Sequence, residues 1–378
     1  VFRTCYCPVH RRKDRRIGTN LIWLQIMEKK IKVLLINSYS FENIYENWKK
    51  GTNPSHYLMG KIELEKSGDF IVDIHKHQKY KWLDKIGKYL KIPFLDQQVR
   101  ALFIIKNYDL VYMPYPVSIN KLLTFLRFLG LLKIPLVGLA HQNFIYYKNK
   151  NSILNKLGVK HLRQFDAFAF FSKNLMVKTQ RDLHYNEEEK ESKCFPVSWG
   201  ADVGFYKNLK AKKESDQAPY AVCAGTADRD YDMLIKAFEN LPYNLKIYCT
   251  PNTIPSSVNL PANVTVDTTW VPYDQLLESY VNSSFIIIPL EEEIREKGNT
   301  YGLTVLLDAM AVGKPILMTQ HSFLDIDIEE EKIGLWVNEN NPEGWNKKLK
   351  KMIGGELNLD EMGERAKILH VEKYNIQN

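Results

Sequence analysis

The stretch Glu291–Thr319, EEEIREKGNTYGLTVLLDAMAVGKPILMT, concentrates side chains able to bind an anionic ligand. An acidic and basic loop follows an apolar run, and a helix is expected to begin near Gly302-Leu303-Thr304. Glycine lets the backbone come close to a ligand, and the free N–H groups and dipole of a helix start favour an anion such as a diphosphate. Thr304 adds a hydroxyl, and Lys297 or Arg295 could add positive charge. Asp308 follows Thr304 by four residues and falls on the same helix face. A carboxylate there can accept two hydrogen bonds from a vicinal diol of the kind ribose presents. The pattern is also that of an amphipathic helix after a polar loop, and spacing alone leaves both readings open.

Something must position these groups, and the chain alternates short β-branched runs with helix-period segments. That is the signature of a parallel sheet with crossover helices. Strands are expected at Lys32–Asn37, Phe70–His75, Leu110–Pro114, Pro135–Ala140 and Ala167–Phe171, with helices around Tyr57–Ser67, Gln97–Lys106, Ile119–Leu131 and Asn174–Leu183. A Lys-rich polar break at Lys207–Ala218 reads as a linker. The alternation restarts at Tyr220–Ala224, Leu245–Tyr248, Val264–Asp267, Phe285–Pro289, Pro315–Thr319 and Leu335–Val337. The expected fold class is α/β: two Rossmann-like, doubly wound domains facing a cleft. The near-continuous apolar strands imply sheets covered on both faces.

The string GLTVLLDAMAVGKPI from Gly302 to Ile316 resembles the donor-site signature of GT-B fold glycosyltransferases of group 1 (family 4-like), which reads Gly-x-x-x-Leu-Leu-Glu-Ala-Met-Ala-x-Gly-Lys-Pro-Val-Ile. Other segments are similar to the same template in order: Met59–Val72, Ala167–Lys173, Ser198–Phe205, Ala224–Asp232 and the final Met362–Tyr374. The resemblance covers residues 27–378. It implies a domain at 27–206 on the acceptor side, a linker at 207–218, a nucleotide-sugar donor domain at 219–360, and a closing helix at 361–378 packing back on the first domain.

The resemblance implies roles residue by residue. Asp308 would hold the donor ribose, and Gly302, Leu303 and Thr304 would offer donors to the diphosphate. Gly225 would form the turn opening the donor domain. Arg229 after it would neutralise the leaving diphosphate, with Lys297 as a further donor-binding cation. His141 would face the transferred sugar from the acceptor side. Where the family has Glu, this chain has Asp308. Where retaining members carry a second Glu, it has Thr300, and Thr226 and Ser38-Tyr39-Ser40 replace a common Arg and a glycine-rich loop. These departures leave retaining and inverting outcomes open.

The implied activity is transfer of a sugar, of hexosyl type, from a nucleotide-sugar to a glycan or lipid-linked acceptor in surface polysaccharide or glycoconjugate synthesis. The donor is a substrate, so no cofactor and no metal are expected; Asp228, Asp230 and Asp232, like Asp325 and Asp327, read as solvated turns or helix starts. A nucleotide-sugar epimerase of the same fold, a nucleic-acid-binding protein and a catalytically silent scaffold are the alternatives.

Composition bounds these readings. The 378 residues are 45% hydrophobic and 25% charged, which suits two globular domains and excludes collagen, disorder and a disulfide miniprotein. Five cysteines make no disulfide framework, and a reducing cytoplasm is the expected compartment. Cys5, Cys7 and His10 make a weak metal site. Residues 1–26 read as an upstream extension, with Met27 as the expected start. The net charge of +8 divides into +5 in residues 1–26, +12 in 27–200 and −9 in 201–378. The basic half matches no nucleic-acid motif. Together with Leu122–Ala140, an apolar stretch expected as a buried helix and a buried strand, it suggests peripheral attachment to the anionic inner face of a membrane.

Overall fold

The computed structural model describes residues 30–116, 120–144, 153–207, 209, 218–257, 259–295 and 297–377. They form two compact units. The first holds residues 30–46, Leu58–Phe171 and Leu175–Val197; the second holds Asn47–Tyr57, Ser172–Asn174 and the chain from Ser198 onward.

The first unit is built on a parallel sheet of β1 (Ile31–Leu35), β2 (Phe70–Ile74), β3 (Leu110–Met113), β4 (Leu136–Ala140), β5 (Ala167–Phe170) and β6 (Cys194–Pro196). Its strand order is β2-β1-β3-β4-β5-β6. Every residue of β3, β4 and β5 is buried, because helices cover both faces and leave no room for a polar alternation. The chain reverses its direction of growth between β1 and β3, so a crevice opens at their carboxyl ends.

The second unit repeats the plan with β7 (Tyr220–Ala224), β8 (Asn244–Tyr248), β9 (Val264–Asp267), β10 (Phe285–Ile288), β11 (Ile316–Thr319) and β12 (Gly334–Val337). Its parallel order is β12-β11-β10-β7-β8-β9, with the reversal between β7 and β10. Ala221, Cys223, Phe285, Ile287 and Leu317 pack with the helices Tyr231–Phe238 and Pro342–Ile353 into one core, within which Trp345 is fully buried. Cys194, Cys223 and Cys249 are buried free thiols, as their apolar surroundings in the sequence suggest.

The expected strands are present to within a residue or two at their ends. Strand β6 and the helix Lys81–Tyr89 were not anticipated. The units divide at 197/198 instead of at a linker over 207–218, most of which lies outside the described residues. Residues 47–57 join the second unit because Ser55 N–H donates to Asp202 Oδ2 at 2.9 Å, and Asp202 N–H donates to His56 Nδ1 at 3.2 Å. The C-terminal helix Leu359–Glu372 packs on the helix Leu303–Ala311, a Cβ on Gly363 lying 2.3 Å from the Gly313 carbonyl oxygen, and the residues after it bond to Ala201, which falls in the 27–206 span expected for the first domain. The apolar stretch resolves into the helix Lys121–Phe128 and the buried strand β4. That helix is not buried as expected: only Leu123 and Thr124 are, while Phe125, Phe128 and the following Leu129 are exposed. Residues 1–26 with Met27, Cys5, Cys7 and His10, and also Glu296, lie outside the described residues.

Candidate active site

At the switch point of the second unit, the turn after β7 meets the end of β10. Arg229 bridges Leu290 through the backbone, and Asp230 N–H donates to the Pro289 carbonyl at 3.1 Å. Asp230 then caps the next helix, accepting from Met233 N–H at 3.0 Å. Gly225 is glycine for a spatial reason: a Cβ there would stand 2.8 Å from Arg229 Nε, because the guanidinium folds back across it. Arg229 donates to the Ala227 carbonyl at 3.3 Å, while its buried Nε has no partner among the described residues. A half-buried cation with donor capacity to spare therefore sits at the carboxyl edge of the sheet.

Beside it, the helix Leu303–Ala311 begins at Gly302, whose φ of 80° suits glycine. A Cβ on Gly302 would come within 2.6 Å of Met318 Cε and 2.8 Å of Ile288 Cγ2, so this helix start is pressed onto β10 and β11. Leu303 N–H is already given to the Thr300 carbonyl at 3.2 Å. The anion-binding capacity expected of the helix start thus centres on Gly302 and the half-buried Thr304. His321 supports the approach to the helix. Burial pushes its imidazole down to about 4, so it is neutral at pH 7, and Nε2 lies 3.1 Å from the Tyr301 carbonyl while Nδ1 accepts from Phe323 N–H. A cavity of about 400 Å³ is lined by Glu292, Arg295, Gln320, His321 and Ser322. Arg295 is tied to Glu292 at 2.8 Å and to the Gln320 carbonyl at 2.8 Å, whereas Lys297 is exposed.

Asp308 occupies an environment that no local pattern announces. It is 3% exposed, and its Oδ1 lies 2.5 Å from Tyr206 Oη and 2.9 Å from Tyr273 Oη. The two phenol oxygens are themselves 2.5 Å apart. Both phenol hydroxyls donate to Oδ1. Desolvation nevertheless raises the Asp308 carboxyl to about 7, against the pull of these two hydrogen bonds.

His141, at the carboxyl end of β4, belongs to the first unit. Its ring meets Tyr115 edge-on at 4.2 Å between centroids, and Tyr115 in turn touches Tyr39, which follows β1. Burial lowers the imidazole to about 4, so His141 is neutral at pH 7 and can exchange hydrogen bonds without carrying charge.

The second unit thus brings together Gly225, Arg229, Gly302, Leu303 and Thr304 around its switch point, with Asp308 one turn further along the same helix. Tyr206, Tyr273 and His321 were not singled out in the sequence. Tyr206 lies 102 residues and Tyr273 lies 35 residues from Asp308, so no spacing rule connects them. Among the described residues, no group of three or more His, Cys, Asp or Glu could hold a metal ion. Asp232 accepts from the N–H and hydroxyl groups of Ser256 and Ser257, and Asp327 accepts from Trp336 Nε1.

Comparison with known proteins places these features. Residues 256–368 match the family model described as glycosyl transferases group 1. No curated protein sequence matches the chain. Among solved structures, a glycosyltransferase from Rickettsia africae ESF-5 is 13% identical with a TM-score of 0.62, over 92% of this chain and 95% of that one. HepE of Anabaena in complex with UDP and glucose is 11% identical with a TM-score of 0.59, over 92% and 96%. WaaG, a glycosyltransferase involved in lipopolysaccharide biosynthesis, is 10% identical with a TM-score of 0.55, over 92% and 97%. The chain therefore has the GT-B fold of these glycosyltransferases, and residues 256–368 of its second unit match the glycosyl transferases group 1 model.

Proposed function

We propose that the protein is a glycosyltransferase that takes a hexosyl group from a nucleotide-sugar and passes it to a hydroxyl of a glycan or lipid-linked acceptor in surface polysaccharide or glycoconjugate synthesis. The observation that carries the reading is that the Arg229 turn and the Gly302 helix start both lie against the carboxyl end of β10, Arg229 bridging Leu290 and Gly302 pressing on Ile288, which offers a diphosphate a cation and backbone donors. The UDP complex of HepE supports a nucleotide donor, and the role of WaaG supports a surface-glycan acceptor.

In the transfer, the bond from the anomeric carbon to the donor phosphate breaks, and its electron pair leaves with the nucleoside diphosphate. The acceptor oxygen bonds to that carbon and gives up its proton. Charge grows on the departing phosphate, so fixed donors there lower the barrier. Arg229 supplies the cation and the helix start supplies dipole and N–H groups, so protein atoms hold the leaving group and no metal is called for. His141, kept neutral by burial, is assigned to a hydroxyl of the transferred sugar. Asp308 is assigned to the donor ribose, for which the Tyr206 and Tyr273 hydroxyls compete.

A thermal-shift screen of nucleoside diphosphates and their sugars tests the reading, repeated on Arg229→Ala and Asp308→Ala. Stabilisation by one nucleotide class, lost in Arg229→Ala, is expected. Absence of any shift across the panel refutes donor binding and favours a silent scaffold. Release of free diphosphate only with an acceptor present separates transfer from epimerisation.

A further inference from the structure

The turn that carries Arg229 is held from behind. Asp228, just before it, has a left-handed φ of 60°, a conformation uncommon outside glycine that persists where the surroundings fix it. Part of that fixing comes from the segment leaving β10. Asp230 N–H donates to the Pro289 carbonyl at 3.1 Å, and Glu291 N–H donates to the Asp228 carbonyl at 3.4 Å. Arg229 and Leu290 therefore face each other as an antiparallel pair whose bonds are made by the residues on either side. In such a pair each residue's own N–H and C=O point away from the partner strand. Leu290 is fully buried, so both of its groups need partners on its far side.

Two side chains supply them. Leu290 N–H donates to Thr319 Oγ1 at 2.8 Å, and the Leu290 carbonyl accepts from Asn340 Nδ2 at 2.8 Å. Thr319 Oγ1 in turn donates to Asn340 Oδ1 at 3.2 Å, which closes a ring. Trp345 Nε1 donates to the same oxygen at 2.9 Å and so fixes which end of the amide faces Leu290. The main-chain ladder between β10 and β11 ends at Ile288 and Met318, and the Thr319 hydroxyl carries it one step further. Side chains from β11, from the loop after β12 and from the helix Pro342–Ile353 thus converge on one backbone residue, back to back with Arg229.

We propose that Thr319 and Asn340 are positioning residues for the transfer. By clamping both backbone groups of Leu290 they hold the Arg229 turn in place, so that the guanidinium meets the leaving diphosphate without having to reorganise. Their effect passes through Leu290 and Arg229, and neither is assigned a contact of its own with the donor. The proposal rests on the assignment of Arg229 to the diphosphate.

Calorimetric titration of the full chain with UDP, ADP and GDP tests it, as a double-mutant cycle between positions 319 and 229. Thr319→Val keeps the shape of the side chain and leaves Leu290 N–H without its acceptor. It should weaken the best-bound nucleotide about fivefold to tenfold, the size of one hydrogen bond. In the Arg229→Ala background the same change should matter by no more than about twofold, because the clamp has nothing left to place. Thr319→Ser keeps the hydroxyl and should bind like wild type. Asn340→Ala should repeat the Thr319→Val pattern in both backgrounds and serves if the valine variant does not fold. Equal losses in the two backgrounds overturn the positioning role and leave these side chains as supports of the fold alone. Unchanged affinity in both Thr319→Val and Asn340→Ala, or a Thr319→Ser variant as weak as Thr319→Val, overturns it too. If no nucleotide binds wild type, or if Arg229→Ala binds as tightly as wild type, the assignment of Arg229 itself falls, and the role of the clamp falls with it.

Discussion

Replacing Asp308 with Asn removes an ionisation whose energetic consequence the structure sets. The carboxyl is 3% exposed, touches two phenol oxygens and sits at about 7, against an ordinary value of 3.8. A group whose folded value is raised lends stability that is complete below pH 3.8. That contribution is lost as the pH climbs through 7, because the unfolded chain ionises first. At 1.36 kcal/mol per pH unit, the loss is about 4 kcal/mol by pH 8. The asparagine of the variant would keep an acceptor for the tyrosines and has nothing to ionise. The difference in stability between wild type and Asp308→Asn should therefore move by about 4 kcal/mol in favour of the variant between pH 4 and pH 8. For a unit of this size that corresponds to roughly 10 °C in melting temperature. Paired thermal melts across that range measure it, and contributions from every other titrating group cancel in the difference. Parallel curves for the two proteins would refute the raised carboxyl of Asp308.

Arg229→Ala should weaken nucleoside diphosphate binding about tenfold to a hundredfold by calorimetry, the size of one charge-assisted contact; unchanged affinity would remove Arg229 from the site. Gly302→Ala should cost about 1–3 kcal/mol, since alanine must adopt a φ of 80° and meets Met318 and Ile288, and urea titration reads it. Trp345→Ala should cost about 3–5 kcal/mol, because a fully buried indole that donates to Asn340 Oδ1 is deleted. A loss below about 1 kcal/mol there would contradict the packing of the second unit.

Several parts of this picture were legible in the chain itself. Runs such as FIII at Phe285–Ile288 and YAVCA at Tyr220–Ala224 state their own burial, and both are strands with every residue enclosed. The helix start at Gly302 was legible as well, because the glycine and the helix period after it are local signals. The helix Lys81–Tyr89 was present in the i, i+4, i+7 stripe of Trp82, Ile86 and Tyr89, yet that stripe faces outward, so it carries no mark of a core. The burial expected for the helical part of Leu122–Ala140 fails for the matching reason: hydropathy records how apolar a helix is, not which neighbour covers it.

Local sequence was enough to settle the α/β class, the two sheets, and the glycines and Arg229 of one turn, since these depend on residues a few positions apart. Only tertiary structure decided that Tyr206 and Tyr273 close around Asp308 and that His141 and His321 are neutral. The reason is physical: a side chain's charge state and exposure depend on the medium around it, and that medium is assembled from strands and helices far apart in the chain.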